Sequence, residues 1–271
     1  MSSCNHNCGS CGQKCSKADF MAPMNAHSDV KKVIGVVSGK GGVGKSLVTS
    51  LLAVTKARQG YSVAILDGDI TGPSIPKAFN VDRSQVYGDG ESIFPAISAD
   101  GTKIISANLL LPEDTSAMIA RGPVLAGMLK QFWTDVCWEE VDYMFVDMPP
   151  GTGDVPLTMM QSLPLEGIVI VTTPQDLVSM IVEKAIDMAH KMEIPVLGIV
   201  ENMSYLECPN CGERISVFGE SNIENLCNKY YLPNLGQLPI DSKLAKACDE
   251  GKIESFNAPY IEDFAIKTQE I

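Results

Sequence analysis

The sequence predicts an α/β fold, and three observations carry it. A glycine loop joins an apolar strand to a helix near the start. Strand-length apolar runs then alternate with helical ones along the chain. One of these runs, Gly167–Thr172, is apolar without interruption (I-V-I-V), as in a parallel sheet covered on both faces. A length of 271 residues fits one large α/β domain or two small ones, and 45% hydrophobic residues can build a sizeable core.

Residues 1–29 show neither helical nor strand periodicity. They hold Cys4, Cys8, Cys11 and Cys15 in the spacing C-x3-C-x2-C-x3-C, with Gly9 and Gly12 beside the middle pair. Four thiolates so close together can wrap one metal centre, and glycines permit the positive-φ turns this requires. The spacing approaches the ferredoxin run C-x2-C-x2-C-x3-C, which points to an iron–sulfur cluster; zinc is the alternative occupant of four cysteines. His6 reads as a bystander. Asp19–Asp29, with Pro23, reads as a linker, so the chain divides into an extension (1–29) and a nucleotide-binding domain (30–271).

Val33–Val37 is an apolar β-rich run, and Gly39–Ser46 follows it as G-K-G-G-V-G-K-S. Leu47–Arg58 then reads as a helix, with Leu47, Leu51, Leu52 and Val54 available to pack inward. Strand, glycine loop, G-K-S and helix together are the context of a phosphate-binding loop. Backbone N–H groups of Gly39, Lys40, Gly41, Gly42, Val43 and Gly44 can turn around phosphate oxygens, and the helix N-terminus adds partial positive charge. Lys45 would reach the β- and γ-phosphates, and the Ser46 hydroxyl would hold Mg²⁺.

Ser62–Leu66 is the next strand and ends in Asp67-Gly68-Asp69, two carboxylates at the strand end where open α/β sheets bind ligands. Asp69 is placed to polarise an attacking water and Asp67 to stand behind Mg²⁺. Thr71-Gly72-Pro73-Ser74 reads as a turn that senses the γ-phosphate. Val81–Asp100 is a polar excursion with a short hairpin, Lys103–Asn108 a strand, and Pro123–Val136 a helix. Trp133, Cys137 and Trp138 read as packing residues. Asp142–Val146 (D-Y-M-F-V) is a strand closing on Asp147, the Walker B arrangement for Mg²⁺, and the loop through Asp154 is a second switch candidate. Leu177–Lys191 reads as a helix and Pro195–Val200 as a strand running into Glu201-Asn202-Met203. Cys208 and Cys211 follow in C-P-N-C-G, half of a four-thiolate site. A redox dithiol is the rival, although that motif belongs at a helix N-terminus in a thioredoxin-like unit, and a zinc knuckle completed elsewhere is the other alternative. Glu220–Tyr230, Leu235–Ile240 and Ser242–Glu250 read as helix, strand and closing helix.

A net charge of −12 argues against a phosphate-backbone binder, so no nucleic acid is expected. No apolar run approaches the ~20 residues that cross a bilayer, and no signal-peptide h-region follows Met1, so no membrane partner and a cytoplasmic location are expected. Clustered cysteines in such a chain indicate metal before disulfide.

Lys40 makes G-K-G-G-V-G-K-S similar to the deviant Walker A loop of dimerising ATPases. In that class this lysine crosses to the partner's nucleotide, as an arginine finger does in trans. With L-D-G-D-I-T-G-P-S, R-G-P (Arg121–Pro123), D-M-P-P-G-T-G-D, T-T-P-Q (Thr172–Gln175) and E-N-M-S-Y before C-P-N-C-G, the chain over about residues 31–250 resembles the Mrp/ApbC family of iron–sulfur P-loop ATPases. The N-terminal cysteines resemble the family's Nbp-type extension with more compact spacing. Leu47 stands where the family carries threonine, and Gly68 where it carries alanine. The resemblance implies a doubly wound, mainly parallel sheet of seven or eight strands with helices on both faces, and a homodimer. It implies slow ATP hydrolysis coupled to binding a [4Fe–4S] cluster and handing it to apo iron–sulfur proteins. It also implies that Leu47 and Asn202 belong to the nucleotide site, Asn202 near the base.

Overall fold

A computed structural model describes residues 20–69, 74–110, 122–175 and 177–271. The N-terminal cysteines, Thr71–Pro73 of the first switch candidate and Arg121 lie outside them. In chain order the elements run β1 (Ser28–Ser38), α1 (Lys45–Arg58), β2 (Val63–Asp67) and α2 (Ser74–Ala78). Four short strands follow, β3 (Tyr87–Gly88), β4 (Ile93–Phe94), β5 (Ala96–Ile97) and β6 (Lys103–Ser106), then α3 (Gly122–Thr134), β7 (Glu139–Asp147) and α4 (Asp154–Ser162). Next come β8 (Gly167–Thr172), α5 (Leu177–Lys191), β9 (Val196–Glu201), and the pair β10 (Leu206–Glu207) and β11 (Arg214–Ile215). The chain closes with α6 (Ile223–Tyr230), β12 (Asn234–Gln237), α7 (Ser242–Asp249) and α8 (Pro259–Lys267).

Eight strands form one sheet in the order β12-β9-β8-β1-β7-β2-β6-β5. All pairings are parallel except the edge strand β5, which runs antiparallel to β6. The expected doubly wound sheet is therefore present. Alternation along the strands divides the core in two. Val33, Val37, Ile168, Ile170 and Ile199 face one cluster under α3, α4, α5 and α6. Ile34, Val36, Val169, Val171 and Val200 face the other under α1, α2, α7 and α8. Continuous apolar runs such as I-V-I-V serve both faces at once.

The expected strand ends shift where local bonds decide them. Ser28 and Asp29, expected in a linker, already pair with Glu139 and Glu140 as the start of β1. Ala22 is buried, its N–H donates to Ser162 O (2.9 Å) and its carbonyl accepts from the Trp133 indole (3.1 Å). β6 stops at Ser106 because the chain turns into a 3₁₀ helix at Ala107–Leu110. Leu235–Ile240 pairs as a strand only through Gln237, and α7 does not close the chain. Asp154–Ser162 and Pro259–Lys267 form helices that the sequence reading did not assign, since Pro156 and the short amphipathic pattern hide them.

Phe145 on the central strand β7 is fully buried. Phe145→Ala should lower the unfolding free energy by about 3–5 kcal/mol in a urea titration with an unchanged slope.

Candidate nucleotide site and cysteine knuckle

The Gly39–Ser46 loop leaves the C-terminal end of β1, between β8 and β7, and enters α1 at Lys45. Gly42 and Gly44 take φ values of 80° and 81°, the left-handed region a side chain resists. Two contacts leave no room for a Cβ. At Gly39 it would lie inside the Ile181 side chain of α5, and at Gly44 it would meet Asn202 Nδ2 at 2.1 Å. The loop is thus held from outside as well as by its own glycines. The Ser38 hydroxyl donates to Lys40 O at 3.0 Å, and the Asn202 amide donates to Val43 O at 2.9 Å.

Lys45 is 5% exposed, and its ammonium lies 2.8 Å from Asp147 Oδ1 and 3.3 Å from Asp69 Oδ2. Asp147 is fully buried; its Oδ2 accepts from the Ser46 hydroxyl (2.6 Å) and its Oδ1 from Thr49 (2.9 Å). Asp67 pairs in register with Asp147 across β2 and β7. It accepts from the Ser106 hydroxyl (2.7 Å) and the Asp69 N–H (3.1 Å). Burial, and then the Asp147 charge, push Asp67 up to about 8. Three carboxylates, one ammonium and three hydroxyls therefore converge at the tips of β1, β2 and β7. Hard oxygens around Ser46 suit Mg²⁺, which keeps waters and arrives with phosphate oxygens instead of needing an all-protein cage.

The structure brings Lys45, Ser46, Asp67, Asp69 and Asp147 together at one point. Asn202 is 2% exposed and its amide engages the loop backbone at Val43, so in this structure it braces the loop. Leu47 is partly buried against the α1-side core. The Lys40 ammonium bonds Gln175 Oε1 of its own chain, in the T-T-P-Q segment after β8. Three supports escaped the sequence reading: Thr49, Ser106 and Gln175. Thr49 was legible in principle, since it lies one helical turn after Lys45 and faces the same way. The Gly68 N–H meets Asp147 O at 2.9 Å, and a Cβ at Gly68 would crowd that same oxygen.

Cys208 and Cys211 sit at the tip of the β10–β11 hairpin, half-buried and exposed. The Asn210 and Cys211 N–H groups point at the Cys208 sulfur and hold its thiol below the usual range. Gly212 at φ 75° closes the turn, its N–H on Cys208 O at 2.9 Å. One tight turn thus carries both cysteines, with Cys211 open to solvent. Cys227 is buried, and burial pushes its thiol up to about 11, as expected of a packing residue.

Because Asp67 binds its proton more tightly folded than unfolded, its contribution is full below pH ~4 and fades as pH rises through about 8. Without Mg²⁺ the thermal midpoint should fall across that window, and Asp67→Asn should flatten the fall. An equal slope in the variant would assign the titration elsewhere.

Comparison with known proteins agrees with this geometry. A family model described as "ParA: NUBPL iron-transfer P-loop NTPase" matches residues 29–269. An iron–sulfur cluster carrier protein of Clostridium perfringens is 46% identical over 239 residues, covering 86% of this chain and 84% of that one. Its namesake in Methanocaldococcus jannaschii is 41% identical over 260 residues, covering 93% and 90%. Among solved structures, a nucleotide-binding protein of Archaeoglobus fulgidus in complex with ADP superposes with a TM-score of 0.77 at 46% identity, covering 87% of this chain and 92% of that one. The cell division ATPase MinD of Pyrococcus furiosus shares the fold, with a TM-score of 0.60 at 19% identity, covering 88% and 97%. The phosphate loop, the buried carboxylates behind it and these matches together place the chain in the NUBPL iron-transfer P-loop NTPase family.

Proposed function

We propose that the chain is an ATP-dependent carrier of [4Fe–4S] clusters that works as a homodimer and passes its cargo to apo iron–sulfur proteins. The knuckle carries the reading. A [4Fe–4S] cluster takes four thiolates, and the hairpin supplies two. Among the described residues no group of three or more His, Cys, Asp or Glu is placed to hold a metal. A twofold axis doubles every residue, so two hairpins meeting on it would offer four sulfurs. Leu206, Ile215, Val217 and Phe218 leave an exposed apolar surface beside the cysteines, which a second copy could cover. Relatives named iron–sulfur cluster carrier proteins support the same cargo.

Hydrolysis is proposed to be slow and to act as a conformational switch. Mg²⁺ would neutralise charge on the phosphates. Ser46 would hold it directly, with Asp147 and Asp67 behind. Lys45 would exchange its carboxylates for phosphate oxygens, and Asp69 would orient the attacking water. Lys40, released from Gln175, would reach the partner's phosphates. The four N-terminal cysteines are proposed to hold a second centre, iron–sulfur or zinc. A cytoplasmic location fits, as no helix among the described residues is long and apolar enough to cross a membrane.

Lys45→Ala should weaken ATP binding by roughly 100-fold or more in calorimetry, since the main phosphate cation is lost. Lys40→Ala and Asp69→Ala should each be inactive as homodimers. A verified heterodimer of the two keeps one site with Asp69 and the partner's Lys40, and should recover about half the wild-type hydrolysis per dimer. No recovery would end the in-trans role. Cys208→Ser or Cys211→Ser should remove about one cluster, roughly four irons, per dimer while ATP binding persists. Full iron and unchanged dimerisation in both variants would refute the bridging assignment.

A further inference from the structure

Beyond the phosphate loop, at the C-terminal ends of β8 and β9, lies a polar cavity of about 20 Å³. Thr172, Thr173, Gln175 and Glu201 line it, with Ile223 and Leu226 of α6 as its apolar wall. Thr172 and Glu201 are register partners, so their side chains share one face of the sheet. Asn202, the next residue, turns to the opposite face and holds the phosphate loop.

Glu201 is 2% exposed. Its carboxylate accepts from the Ser204 hydroxyl (2.6 Å) and the Gln237 amide (3.0 Å), both neutral donors and both on Oε2. Among the described residues no lysine, arginine or histidine forms an ion pair with it. Thr172 and Thr173 are 3% and 6% exposed, and neither hydroxyl has a hydrogen-bond partner. A buried carboxylate without a counter-ion and two buried hydroxyls without partners are each costly, and here they surround one space.

We propose that this cavity is an alkali-cation site, in which K⁺ or Na⁺ is held by the Glu201 carboxylate and the Thr172 and Thr173 hydroxyl oxygens. A volume of about 20 Å³ admits one water-sized occupant. Mg²⁺ with its retained waters is too large for it. A single water would serve the hydroxyls but leave the buried charge uncompensated. All the donors are oxygens and only one is charged, which suits a weakly hydrated monovalent ion.

The position gives the ion a consequence. Gln175, on the cavity wall, accepts from Lys40, and the Asn202 N–H bonds Thr172 O at 2.8 Å. An ion joining the ends of β8 and β9 would stiffen both supports of the phosphate loop. This proposal does not depend on the cluster-carrier reading.

The test compares melting of the full chain in about 150 mM KCl, NaCl and choline chloride at equal ionic strength. One alkali salt should raise the midpoint by about 3–6 °C over choline. Thr172→Val and Glu201→Gln should abolish that increment. Thallium anomalous scattering in crystals for a K⁺ site, or ²³Na line broadening for a Na⁺ site, decides the matter even if the variants fold poorly. A thallium peak among the three oxygens, or sodium broadening lost on K⁺ addition, supports the assignment. Equal midpoints in the three salts, an increment surviving in both folded variants, or no ion signal would overturn it and leave an ordered water only.

Discussion

The ion pair between Lys45 and Asp147 is the constraint on which the rest of the site depends. Each is buried, at 5% and 0% exposure, and each would be expensive alone. Lys45 opens α1 and Asp147 ends β7, so the pair fixes how the helix sits on the sheet. Ser46 and Thr49 extend the same contact along one face of α1. Asp69 and Asp67 reach it from β2, the next strand over. A phosphate entering the loop competes for the same ammonium, so nucleotide binding necessarily rearranges charges that also hold the fold.

The ends of β8 and β9 form the second centre of the molecule. Adjacent residues there serve opposite faces: Asn202 braces the loop through Val43, while Glu201 is anchored by Ser204 and Gln237. Six residues beyond Asn202 the chain reaches Cys208. The connection is tied down where Ser204 N–H meets Leu238 O and Ile240 N–H meets Tyr205 O. One stretch of backbone therefore links the phosphate loop, the polar cavity and the cysteine hairpin. A nucleotide-dependent shift of Asn202 has a short, bonded path to the knuckle, which gives the proposed coupling a physical carrier.

The two halves of the site differ in how finished they are within one chain. The nucleotide half has its cation, its carboxylates and its loop supports in place. The cysteine half has two sulfurs at the tip of a two-residue hairpin ladder, in a setting of exposed apolar side chains. Backbone N–H groups of the turn already favour the Cys208 thiolate.

The sequence alone determined the fold class, the phosphate loop, the carboxylates behind it and the C-x2-C pair. These are written in short-range pattern: a glycine spacing, a run of apolar residues ending in aspartate, two cysteines one turn apart. It did not reveal α4, whose short pattern contains Pro156, or the brief α8, nor that β1 begins at Ser28, five residues before the apolar run. Only the tertiary structure decided which side chains meet across strands. Thr49 on Asp147, Ser106 on Asp67, Gln175 on Lys40 and Asn202 on Val43 join residues about 40 to 160 positions apart. No local propensity encodes such pairings, because strand order sets them and side-chain packing selects the rotamer. Glu201 shows the limit most clearly: in sequence it is an acidic residue at a strand end, and only the tertiary structure shows it buried with neutral partners.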